Sequence, residues 1–210
     1  MRWLLMENSS RNILYLSGKI VSDIEFSHES HGTLFYTFKL ETRRLSGTYD
    51  IINAIIRRET VEEYDLSVGD FISTQSELRS FNKKTENGNR LIISAFIKEL
   101  TPCEENTYEN ALHLTGTICK TPVYRKTPLG REICDIMLAT NRKYGRSDYL
   151  PLIVWGRNAR AAGTFQTGDV ITVCGRVQSR EYTKLIDGVE TVRVAFEVSV
   201  SSIEEVSFEE

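Results

Sequence analysis

Asn12-Ile-Leu-Tyr-Leu-Ser-Gly-Lys-Ile20 and Asn110-Ala-Leu-His-Leu-Thr-Gly-Thr-Ile118 are one stretch written twice, 98 positions apart. The same offset sets Leu40 against Leu138, Thr42 against Thr140, Arg44 against Arg142, Gly47 against Gly145 and Asp50 against Asp148. One position later in register, Gly69-Asp70 aligns with Gly168-Asp169. A register held that long marks a duplicated module. The acidic stretch Cys103-Glu-Glu-Asn-Thr-Tyr-Glu109 separates the copies, which divides the chain into a module at 1–103, a linker at 104–109 and a module at 110–210.

Around the repeat, Leu112, Leu114, Gly116 and Ile118 alternate with polar residues, the period-two pattern of a strand. Further strands are expected at Ile133–Ala139, Tyr149–Trp155, Val170–Tyr182 and Val192–Ser201. Lys126-Thr-Pro-Leu-Gly130, Asn141–Asp148 and Asp187-Gly188 supply the turns, and Asn158–Ala162, stopped by Gly163, is the helix-prone stretch. The first module repeats the order, with strands at Ile13–Val21, Leu34–Thr42, Tyr49–Arg57, Phe71–Phe81 and Leu91–Leu100 and a helix near Val61–Tyr64. Three strands, a short helix and two strands is the plan of the OB-fold. The expected fold is all-β: two tandem OB-fold five-stranded barrels, each with a short helix between strands 3 and 4. A different small barrel is the structural alternative.

Charged residues make up 26% of the chain and hydrophobic ones 40%, the balance of an ordinary globular protein. No apolar run approaches the ~20 residues of a membrane span. Met1-Arg2-Trp3-Leu4-Leu5 is too short for a signal-peptide core, so a cytoplasmic location is expected, with Met6 an alternative start. Cys103, Cys119, Cys134 and Cys174 form no CxxC pair and no zinc spacing; the last three fall in apolar strand patterns and are expected to be buried thiols. His28 and His31 fall in a polar turn and His113 on a strand, with no phosphate-binding loop, nucleophile elbow or metalloprotease motif nearby. No metal, cofactor or catalytic function is expected. Asp70 and Asp169 each follow a turn glycine, which points to turn chemistry. Net charge is −3, but residues 1–109 hold 13 Lys+Arg against 17 Asp+Glu, and residues 110–203 hold 13 against 8. The second half is therefore the better anion binder.

Period two also assigns faces. Leu150, Leu152 and Val154 read as core, with Tyr149, Ile153 and Trp155 on the other side; Ile171, Val173, Gly175 and Val177 read as core, opposite Arg176, Gln178, Arg180 and Tyr182. Lys184, two residues past that strand, is a further candidate, and the preceding loop adds Arg142, Lys143, Tyr144 and Arg146. Unpaired bases stack on aromatic rings at ~1–3 kcal/mol each, and phosphates call for guanidinium or ammonium partners. The pattern points to single-stranded nucleic acid. Packing of Tyr149 and Trp155 in a subunit interface, and simple solvation of the arginines, are the alternatives.

Asn110-Ala-Leu-His-Leu-Thr-Gly116, Leu138-Ala-Thr140, Val154-Trp-Gly156, Gly168-Asp-Val-Ile-Thr-Val-Cys-Gly-Arg176 and Glu197-Val198 resemble the bacterial single-stranded DNA-binding protein family. The resemblance implies coating of single-stranded DNA in replication, recombination and repair. It places base-stacking aromatics at Tyr144, Tyr149, Trp155 and Tyr182, and it implies four OB modules, which a two-module chain reaches as a homodimer. The first module departs from the pattern: Ser46, Ile51 and Arg57 fall opposite Tyr144, Tyr149 and Trp155, and Phe81 stands for Tyr182 only across a one-residue gap. Tyr49, Arg57, Phe81 and Lys83 are its weaker candidates, and weaker binding is expected there. The end, Ile203-Glu-Glu-Val-Ser-Phe-Glu-Glu210, is only faintly similar to the family's acidic tip that recruits replication and repair proteins; a solvated acidic end is expected. Two alternatives are a primosomal accessory protein and an OB-fold interaction protein that has lost strand binding.

Overall fold

The computed structural model describes residues 12–85, 88–142, 145–186 and 189–206. The first module runs β1 (Asn12–Ile20), β2 (Glu25–Ser30), β3 (Thr33–Arg43), β4 (Tyr49–Arg57), α1 (Arg58–Glu63), β5 (Phe71–Thr85) and β6 (Gly88–Pro102). The second runs β7 (Glu109–Ile118), β8 (Val123–Lys126), β9 (Glu132–Asn141), β10 (Ser147–Trp155), α2 (Arg157–Ala162), β11 (Val170–Ile186) and β12 (Val189–Glu205). Each module is an OB fold. Neighbours around the first barrel are β1, β3, β4, β6 and β5, with β1–β3 closing it; β7, β9, β10, β12 and β11 repeat the order, closed by β7–β9. The β4–β6 and β10–β12 pairs are parallel, and the other barrel pairs are antiparallel.

The repeated stretch carries this closure. Leu14, Leu16 and Ile20 fill one barrel and Leu112, Leu114 and Ile118 the other, all buried. The Asn12 amide donates to the Leu78 carbonyl and its oxygen accepts from the Leu78 N–H, both at 2.8 Å. Asn110 makes the same clamp on Val177 at 2.7 and 2.9 Å. Gly18 sits where β1 folds across β3, and a Cβ there would lie 1.9 Å from the Glu41 carbonyl oxygen; at Gly116 the Ala139 oxygen would be 2.6 Å away. No L side chain fits without parting the strands. Gly116→Ala is expected to lower unfolding stability by about 1–3 kcal/mol, read as a fall in the denaturant midpoint at constant slope; an unchanged midpoint would disprove the closure argument.

Several expectations are corrected. Strands β2 and β8 were not foreseen: every residue of both is exposed, so neither shows the alternation that marks a strand, and His28 lies in β2 instead of a turn. The last two strands of each module are longer than their apolar cores. Beyond the barrel, β5–β6 and β11–β12 continue as two-stranded arms paired to Thr85↔Gly88 and Ile186↔Val189. The end of the chain is not a free acidic tail up to Val206: Ile203, Glu204 and Glu205 pair with Val173, Thr172 and Ile171, and the Val206 N–H reaches the Val170 carbonyl at 2.9 Å. Phe208 lies outside the described residues. Of the cysteines only Cys134 is fully buried, its thiol pKa pushed up by desolvation; Cys119 and Cys174 are half-buried.

The modules are tied together. β1 pairs antiparallel with β7 from Asn12↔Leu114 to Ser17↔Glu109, so the described strands form one twelve-stranded sheet. Residues 104–108 are a tight turn, with the Thr107 N–H on the Glu104 carbonyl at 3.2 Å and Asn106 at φ 62°. Each arm also crosses to the opposite module. Buried Asp50 accepts from Arg44 Nε and Nη2 at 2.6 Å, and from the N–H of Ser179 on the β11–β12 arm at 2.7 Å. Buried Asp148 accepts from Arg142 Nε at 2.6 Å, from Arg142 Nη2 and from the N–H of Ser80 on the β5–β6 arm. The two sites are copies related by the internal repeat.

Candidate nucleic-acid interface

Strand register puts β10, β12 and β11 side by side over the second barrel. Ile153 pairs with Ser199, and Ser199 with Arg176, so these three share one outward face. The same parity brings Tyr149 and Trp155 from β10, Arg193 from β12, and Arg176, Gln178, Arg180 and Tyr182 from β11 onto that face. Tyr149 is 48% exposed and Trp155 36%. Tyr182 is half-buried beneath Arg180, whose guanidinium lies 6.0 Å from its ring centroid. Arg146 is exposed on the loop before β10.

Not every residue given to this face is free. Ile153 and Gln178 are buried: Gln178 Nε2 donates to buried Glu197 at 2.9 Å, and Arg180 Nε approaches the same carboxylate at 3.5 Å. Arg142 is withdrawn as a phosphate ligand. Its guanidinium is spent on Asp148 and on the Ser80 carbonyl at 2.9 Å, and hydrogen bonds to Asp148 raise its pKa. A place in the loop before β10 made it look available, but Asp148 at the start of β10 and the Ser80 carbonyl of the other module both accept from it. Tyr144 and Lys143 lie outside the described residues, as does the side chain of Lys184.

In the first module Tyr49, Phe81 and Lys83 come together in a groove of about 560 Å³; Arg57, at the far end of β4, does not line it. Ile51, Lys39 and Arg90 line it too, and all three were missed. The outward parity of β3 would have found Lys39, and Ile51 is 43% exposed at the position equivalent to Tyr149. The outer wall is the β11–β12 arm of the second module, through Glu181, Val194 and Phe196, and Arg90 donates to the Val194 carbonyl at 3.3 Å. β-Bulges at Gln75/Ser76 and Cys174/Gly175 fix the equivalence across modules. They set Lys83, and not Phe81, opposite Tyr182; Phe81 corresponds to Arg180.

Asp70 and Asp169 accept from the N–H groups of Ser67 and Gln166 at 2.8 and 2.7 Å, the turn role expected of them. Among the described residues no three His, Cys, Asp or Glu side chains gather as a metal site, and no helix is long and apolar enough to cross a membrane.

Residues 109–206 match the model of the Single-strand binding protein family. The chain is similar to Single-stranded DNA-binding protein 1 of Staphylococcus aureus (strain COL), 32% identical over 80 residues, 35% of this chain and 48% of that protein. It is also similar to Single-stranded DNA-binding protein 1 of Synechocystis sp., 30% identical over 74 residues, 33% of this chain and 61% of that protein. The matches thus span about half to three-fifths of these relatives' length. The wild-type single-stranded DNA binding protein of Thermus aquaticus superposes with a TM-score of 0.75 at 19% identity, covering 96% of this chain and 95% of that one. That superposition shows the tandem fold.

Proposed function

We propose, for a chain whose second module matches the Single-strand binding protein family, that it binds single-stranded DNA with little regard to sequence and serves DNA replication, recombination and repair in the cytoplasm. The observation that carries the reading is the register of β10, β12 and β11, which sets exposed Tyr149 and Trp155 on one face with Arg176, Arg180, Arg193 and Tyr182. Bases stack on the rings while the arginines meet phosphate; neither contact reads base identity. Tyr144, Lys143, Arg146 and Lys184 extend this site, and Tyr49, Phe81 and Lys83 supply a weaker one in the first module.

Titration with oligothymidine tests the reading. Trp155 fluorescence is expected to be quenched at low salt, and Trp155→Phe to remove most of the quench. Affinity should fall with salt at a log–log slope of about −0.7 per phosphate contacted. Absence of binding at low salt would refute the function. We also propose a homodimer carrying four modules; sedimentation should return twice the chain mass of 24.0 kDa, and a monomer would rule it out. Partner proteins in replication and repair belong to the same proposal.

A further inference from the structure

The turn between the modules brings a third aromatic element to the edge of the first module's groove. Cys103 still pairs with β5, its N–H on the Phe71 carbonyl at 3.0 Å, and the chain then reverses through Glu104–Thr107. Tyr108 is left between Phe71 and Tyr49. Its ring is edge-on to both, with centroids 5.9 and 6.1 Å away and interplanar angles of 69° and 78°. Two cations flank the rings: Arg43 lies 5.8 Å from the Tyr49 centroid and Lys19 lies 6.0 Å from that of Phe71. Tyr49 is 46% exposed and also lines the groove with Phe81 and Lys83. One aromatic and basic surface therefore passes from the groove, over Tyr49, to the intermodule turn and the outer face of β1. Burial first, then Tyr49 and Glu41, push the Tyr108 hydroxyl pKa up.

We infer that Tyr108 and Phe71, with Lys19 and Arg43, form a stacking step that carries a single strand out of the first module's groove and past the intermodule turn. The inference rests on the single-strand reading above and extends it to four residues outside both OB faces. In a core, rings seal one another from water. Here Tyr49 is nearly half exposed, Tyr108 and Phe71 are half-buried, and a cation stands at each end, the arrangement a base and its two phosphates require. The opposing charges are Glu41, whose strand partner Lys19 lies beside it, and Glu104, Glu105 and Glu109 of the turn itself.

The test compares Tyr108→Ala, Tyr108→Phe and the unaltered chain on long and short oligothymidine at one salt concentration. With the long strand, Tyr108→Ala is expected to lose roughly 5- to 150-fold in affinity, the loss of one stacked base, and to occlude fewer nucleotides per chain. Tyr108→Phe should retain both, and strands that fill only the second module should bind all three alike. If Tyr108→Ala fails to fold, Lys19→Gln with Arg43→Gln reads the same path, with a salt slope shallower by about 1.4. Unchanged affinity and occluded length in Tyr108→Ala, or an unchanged slope in the charge pair, would overturn the step. Failure of the unaltered chain to bind oligothymidine at all would instead remove the functional reading beneath it.

Discussion

Asp148→Ala is expected to cost about 3–5 kcal/mol of stability, more than any surface substitution in this chain. The carboxylate is 1% exposed and receives Arg142 through two donors and the Ser80 N–H through a third. Truncation leaves a guanidinium, itself only 24% exposed, facing a void with its counter-charge gone. It also strips the acceptor from a buried backbone donor, a penalty of its own. Because Ser80 belongs to the opposite module, the loss reaches the packing of one barrel on the other, and the Tyr149 N–H, held by Ser80 Oγ at 2.8 Å, loosens with it. At ~2–4 °C per kcal/mol for a chain of this size, the melting point should drop by roughly 6–20 °C in calorimetry. Asp50→Ala should behave alike, since Asp50 is fully buried with the equivalent donors. Asp135→Ala is the control: its pair with Arg125 is 38% and 48% exposed, so less than about 1 kcal/mol is expected. Similar losses for Asp135 and Asp148 would show that the intermodule pairs contribute nothing special.

The second large effect is on binding. Tyr149→Ala combined with Trp155→Ala should weaken oligothymidine binding by ~2–6 kcal/mol, or from about 30-fold to more than 10⁴-fold. Both rings stand on β10 partly exposed and neither belongs to the barrel core, so folding should survive their removal. The fall should be nearly the same at low and moderate salt, because stacking releases no counterions. Tyr49→Ala with Phe81→Ala should cost less, since residues 1–109 carry excess negative charge and Glu181 stands in that groove. Equal losses from the two pairs, measured by anisotropy, would end the division of labour between the modules. No loss from the β10 pair would end the stacking mechanism.

The duplicated OB plan was legible because a barrel strand shows its core to one side only. Leu112, Leu114 and Ile118, or Leu150, Leu152 and Val154, alternate with residues that face away, and all six are buried. The outward set Tyr149, Trp155, Arg176, Arg180 and Tyr182 followed from the same parity. Where alternation fails, reading failed. β2 and β8 have no buried residue to mark an inner face, and the arms beyond the barrel pair without a core to pattern them.

By itself the sequence determined the repeat, the two barrels, their helices and the aromatic and basic face of the second one. Those properties live in strand parity and turn residues, which act over a few positions. The tertiary structure alone decided that Arg142 serves Asp148, that the β11–β12 arm walls the first module's groove, and that Tyr108 stands against Tyr49 and Phe71. Each of these joins residues from different elements or modules. A long arginine or an exposed ring looks the same in sequence whether its partner is solvent, a ligand or a distant strand.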